Sequence, residues 1–258
     1  MAIAGLKEPL EVVTTEPSPV EEAVETTIGM LQRLSLVNDE QALHSSLTGE
    51  FTRLVELGKG RLYVRLPAGV KTSQLIELAN TLAVERGFAS VFTWPHFWVP
   101  DTEANSLTEQ ELDGSFVAFT AQLALFADSN SKYDPLLHFA GLSFDDMYRD
   151  NGRPTQLEKI GQAQAEFVAQ HPGAALDTCD QRDYLVWYIV DMIRGVPTGE
   201  LALAQGFMRV PRHGRRRVGG DSCVGGVCSY DGRARLVGSY GSAGGDVGVG
   251  LSVGFLED

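Results

Sequence analysis

The spacing of apolar residues predicts helices in the first part of the chain. Between residues 20 and 57, apolar side chains recur three or four positions apart, as at Val24, Ile28 and Leu31. This period matches one face of a helix, and acidic residues occupy many of the positions between, so one or two acidic amphipathic helices are expected there. Residues 1–20 mix Pro, Thr and Glu and favour an irregular lead-in.

The next segment shows a strand pattern followed by a helix pattern. The sequence RLYVRL at residues 61–66 alternates apolar and polar positions, which is typical of a strand. A helix is predicted after it, with Ser73 as its N-cap and its end at Gly87. A second strand, ASVFTW, is predicted at residues 89–94. The inward residues of the helix are expected to be Leu75, Ile76 and Leu82.

Three capping boxes indicate where further helices begin. In such a box a threonine, followed three residues later by Glu or Gln, satisfies free backbone N–H groups at the helix start. The first helix is expected to run through about Ala127, the second to stop at residues 171–173 and the third to end at Gly195. The boxes are Thr108 with Glu111, Thr155 with Glu158, and Thr178 with Gln181.

Each of these helices carries an apolar stripe that is expected to face the core. The first stripe is Leu112, Phe116, Phe119, Leu123 and Phe126. The second is Leu157, Ile160, Phe167 and Val168. The third is Leu185, Ile189, Met192 and Ile193, with Tyr184, Trp187 and Tyr188 packing the same helix.

The last fifth of the chain has a different pattern. Half of the 28 glycines follow Gln205, yet Val247, Val249, Leu251 and Val253 alternate with glycine and serine. A period of two places these aliphatic residues on one face of a strand. We therefore expect short strands, joined by many turns and packed on the helical part. The alternative is a solvated low-complexity tail.

Composition and charge narrow the function classes. The chain of 258 residues is 43% hydrophobic with a net charge of −13, which fits a soluble globular protein and argues against nucleic acid as a partner. From Gly206 onward, however, seven arginines outnumber five acidic residues. With no long apolar run and no basic start before an apolar core, neither membrane insertion nor a secretory signal is expected. A cytoplasmic location is the default expectation, with surface display by another route left open.

The sequence lacks the common catalytic and cofactor motifs. It contains no Walker loop, no GxSxG elbow, no HExxH and no acidic calcium loop, so no catalytic residue, metal or cofactor is expected. Cys179, Cys223 and Cys228 lack zinc-site spacing, and free thiols are the favoured interpretation. Cys223 and Cys228 could form a disulfide only if their strands aligned.

The residue types in the last fifth of the chain, the glycine-rich ending after Gln205, form a further pattern. Between Arg209 and Ser252 there is no Glu, Lys, Gln, Met or Trp, while RRRVGGDS opens this region and VGVGLSVGF closes it. The region resembles that of the variable proteins of diversity-generating retroelements, in which an arginine-rich lead-in, a Gly-Gly turn and a closing strand frame a variable segment. In that family, copying errors at adenines turn AAC codons into Gly, Ser, Asp, Tyr, Cys, Arg, Val or Ala, but never into the five missing types.

The resemblance implies an α+β fold. A helix-rich N-terminal and middle part would pack on a C-terminal C-type-lectin-like fold of short, mostly antiparallel strands with glycine-rich loops. We expect an acidic segment with amphipathic helices at residues 1–60 and a C-type-lectin-like domain at residues 61–258, with the variable region at about 209–252. The ligand-binding surface is expected to comprise Cys223, Gly226, Cys228, Tyr230, Asp231, Arg235, Val237, Tyr240, Ser242, Gly244, Gly245 and Asp246.

The favoured function is recognition of a macromolecular ligand, a protein rather than a nucleic acid, without catalysis and with the oligomeric state left open. Two alternatives remain open at this point. A formylglycine-generating-type oxidase would use Cys223 and Cys228, since that class works through a pair of active-site cysteines. A phage structural protein would instead use the glycine-rich sheet for assembly.

Overall fold

The fold is known for most of the helical part and for the strands of the ending. The computed structural model describes residues 17–58, 60–66, 70–87, 120–127, 153–179, 181–196, 207–209, 216–218, 221–230, 233–240 and 248–255. Residues 1–16 of the predicted lead-in at 1–20, the predicted strand at 89–94 and the first capping box at Thr108 and Glu111 lie outside these residues. The last two residues of that lead-in, Pro19 and Val20, belong to the first helix.

The described residues form an α+β fold with five helices and eight strands. The helices are α1 (Pro19–Arg33), α2 (Glu40–Leu57), α3 (Thr72–Glu85), α4 (Arg153–Gln170) and α5 (Gln181–Arg194). The strands are β1 (Arg61–Arg65), β2 (Thr120–Ala127), β3 (Ala174–Thr178), β4 (Phe207–Arg209), β5 (Arg216–Val218), β6 (Asp221–Tyr230), β7 (Arg233–Tyr240) and β8 (Gly248–Phe255).

One sheet joins the described strands, in the order β1-β2-β8-β4-β6-β5, with β3 beside β8 and β7 beside β6. Strand β8 pairs with β2 along one edge and with β3 and β4 along the other. The β4–β8 pair is parallel, and the other described pairs are antiparallel. The prediction of mostly antiparallel strands in the glycine-rich ending is therefore confirmed, although β6 is ten residues long rather than short.

The prediction of one or two acidic helices between residues 20 and 57 is confirmed, since α1 and α2 form there. Helix α1 begins after Ser18, whose side chain accepts a hydrogen bond from the Glu21 N–H at 3.1 Å. Helix α2 begins after Asp39, whose carboxylate accepts from the Ala42 N–H at 3.0 Å. Both caps satisfy backbone donors that a helix start leaves free. The apolar stripe of Val24, Ile28 and Leu31 is buried, as expected.

Helix α5 lies at the centre of the hydrophobic core. Every residue from Tyr184 to Val190 is buried, and the core also contains residues of α1, α2, α3, β1 and β3. A helix that is buried on every side needs apolar residues all round rather than one stripe. Helix α2 adds a contact to the sheet end, where the Arg53 guanidinium lies 3.9 Å from the Phe255 ring centroid.

Strand β1 does not alternate in burial as the sequence predicts. Leu62, Tyr63 and Val64 are all buried, and only Arg61 and Arg65 at its ends are half-buried. Since neighbouring residues of a strand point to opposite faces, three buried residues in a row mean that both faces of β1 are covered.

The prediction of a helix reaching Ala127 is wrong, because residues 120–127 form strand β2. Leu123, expected on a helical stripe, pairs with Val253, and Phe126 pairs with Gly250. The short apolar segment TAQLALFA suits a helix or a strand equally well. Backbone pairing with β1 on one edge and β8 on the other decides in favour of the strand.

Four further details of the helix predictions are corrected. Helix α3 begins after Lys71 without a side-chain cap, and Ser73 lies inside the helix. Thr155 likewise lies inside α4 and does not cap it. Thr178 does not begin a helix, because it is the last residue of β3 and pairs with Leu251 of β8. Val168 is 42% exposed rather than inward, because its neighbour Phe167 occupies the buried face and adjacent helical residues diverge by about 100°.

Two glycines of one segment should respond oppositely to alanine. Gly173 lies in the turn between α4 and β3 with φ +84°, so Gly173→Ala should cost about 1 kcal/mol of stability through backbone strain. Gly161 lies within α4, so Gly161→Ala should add about 0.5–1 kcal/mol through helix propensity. An added Cβ meets nothing within 4 Å at either site. Urea unfolding of both variants measures the difference, and a loss at both positions would contradict this account.

Candidate recognition surface

Most of the predicted ligand-binding residues lie on two neighbouring strands, β6 and β7. Cys223 pairs with Tyr240, Gly226 with Val237, and Cys228 with Arg235. Directly opposite residues of an antiparallel pair lie about 5 Å apart, so these residues are true neighbours in space. Tyr230, also predicted, ends β6 and pairs with Arg233.

The register divides these residues between the two faces of the sheet. Alternate residues of a strand share a face, and so do directly paired residues. Five of the predicted residues share one face, while Cys223 and Tyr240 share the other. The five are Gly226, Cys228, Tyr230, Arg235 and Val237.

The remaining predicted residues lie outside the described residues. Asp231 belongs to the two-residue connection Asp231-Gly232, because β6 ends at Tyr230 and β7 begins at Arg233. An Asp-Gly pair at this point is a sequence signal for a hairpin. The others are Ser242, Gly244, Gly245 and Asp246.

The two cysteines of the ending are too far apart to act as a pair within this fold. Cys223 and Cys228 lie on the same strand, five positions apart. At about 3.3 Å per residue their Cα atoms are about 16 Å apart, whereas a disulfide needs Cα atoms within about 7 Å. An odd separation also places them on opposite faces of the sheet.

The described residues contain a buried ion network that sequence reasoning missed. Asp191 of α5 is fully buried and accepts hydrogen bonds from Arg61 Nη1 at 2.9 Å and from the Tyr63 hydroxyl at 2.7 Å. Burial raises the pKa of Tyr63 well above 10, and the charge of Asp191 raises it further. Tyr63 therefore stays a neutral donor.

A second part of this network joins β1 to α5 and β3. Arg65 donates from Nε and Nη2 to both oxygens of Asp183, at 3.1 and 3.2 Å, and from Nη1 to Asp177 at 3.2 Å. Burial lowers the pKa of Arg65, but the charge and hydrogen bonds of Asp183 outweigh it and the net shift is upward. With each of these carboxylates bonded to arginine, the network fixes the position of the strand and does not offer a free base.

The sequence does carry a weak signal for this network. Arg61, Tyr63 and Arg65 occupy alternate positions of one strand, and Asp183 and Asp191 interrupt a helix that is otherwise rich in apolar residues. Charged residues within buried elements are rare unless they are paired. By that rule, the arginines of β1 are expected to pair with the aspartates of α5.

Two absences hold for the described part of the chain. No group of three or more His, Cys, Asp or Glu residues there is placed to hold a metal ion. None of the helices in that part has the length and apolar character that crossing a bilayer requires.

No protein-family model, curated protein or solved structure matches the chain.

Proposed function

We propose that this chain is a non-enzymatic recognition protein that displays a diversifiable ligand-binding surface on strands β6 and β7. The observation that carries the proposal is the restricted set of residue types between Arg209 and Ser252, which coincides with a regularly paired set of strands. A pair of extended strands can accept changes at one face while its backbone hydrogen bonds persist, since those bonds do not depend on side-chain identity.

The residue types on these strands suit recognition. Tyrosine supplies amphipathic contact area at low entropic cost, arginine supplies several fixed donors, and serine and glycine adapt to a partner. Tyr230, Arg235 and Val237 lie on one face together with the small residues Gly226 and Cys228. Such a face offers a few large contact residues set among small ones.

We further propose that the scaffold is C-type-lectin-like, of the kind used by the variable proteins of diversity-generating retroelements. The α+β fold and the predominantly antiparallel sheet support this proposal. So does the place of β8, which lies inside the sheet and links the ending to β2 and β3. The separation of Cys223 and Cys228 favours recognition over the oxidase alternative, which needs both cysteines at one site.

Deep sequencing of the gene within one population tests this function. We expect substitutions to concentrate at the proposed surface positions of β6 and β7 and to follow changes at template adenines. Codons of α5 in the same reads serve as the control and should stay constant, because that helix is buried. A uniform gene, with no template repeat and no reverse transcriptase nearby, would rule out this function.

A further inference from the structure

We draw no further inference here: the strongest candidate, the groove along the exposed face of α3 that Ile76, Asn80 and Val84 line, carries no proposal, because nothing in the structure shows what covers it.

Discussion

Asp191→Ala will lower the free energy of unfolding by about 3 kcal/mol, the lower end of what removing one partner of a buried ion pair costs. Asp191 is fully buried and bonds both Arg61 and Tyr63. Without it the buried Tyr63 hydroxyl loses the acceptor on α5 that the structure gives it. Arg61 remains 38% exposed and can turn towards water, which keeps the loss near the lower end.

The control for Asp191 is an aspartate of the same network in a more exposed position. Asp177→Ala should cost less than about 1 kcal/mol, because Asp177 and Arg65 are partly exposed and Arg65 keeps its two bonds to Asp183. Urea unfolding of the wild type and both variants gives the two losses. Similar losses for Asp191→Ala and Asp177→Ala would show that burial does not set the strength of this network.

Helices with local signals could be predicted from the sequence. The apolar period of α1 and α2, and the glycines Gly87, Gly173 and Gly195 after α3, α4 and α5, act within a few residues of the chain. Each of these glycines has a positive φ, which is the conformation that commonly ends a helix. The helix ends were therefore predictable, because their cause is a property of the terminating residue itself.

Two features that depend on distant partners, strand β2 and the burial of β1, could not be predicted. Strand β2 is the clearest case, since its partners β1 and β8 lie far from it in sequence on either side. The three buried residues of β1 also require cover on both faces, which no pattern within RLYVRL indicates. Long-range pairing outweighed local preference in both strands.

Strands were predictable for the segment that carries the proposed surface, and their pairing was not. Residue types alone pointed to the segment that contains β6 and β7, and period two predicted the strand now seen as β8. The register was not available from the sequence, although it decides which residues share a face. Cys223 and Cys228 illustrate the consequence, since only their common strand reveals that they lie on opposite faces.

Helix α5 contacts both β1 and β6. It holds β1 through Asp191 and Asp183, and it also lies against β6, which carries four of the twelve proposed surface residues. A rigid helix beneath a strand keeps that strand in place when residues on its other face change. The ion network and the aromatic residues of α5 therefore serve the surface indirectly, by fixing the frame that carries it.

Trp187→Ala should have the largest effect on stability, a loss of about 3–5 kcal/mol. Trp187 is fully buried at the centre of α5, its ring stacks on Tyr63 at 5.4 Å between centroids, and it meets the Tyr184 ring edge-on at 5.1 Å. Alanine would leave a cavity that the surrounding helices can fill only in part. Trp187→Phe retains a ring and should lose about half as much.

The matched surface control is Val168→Ala, at a helix position that is 42% exposed, and it should change the free energy of unfolding by less than about 0.5 kcal/mol. Urea unfolding followed by tryptophan fluorescence would lose signal in the Trp187 variants, so far-ultraviolet circular dichroism is the common probe for all three. If Trp187→Ala cost no more than Val168→Ala, α5 would not be the centre of the core. Its role in supporting β6 would fall with that result, because a loosely held helix cannot fix the strand above it.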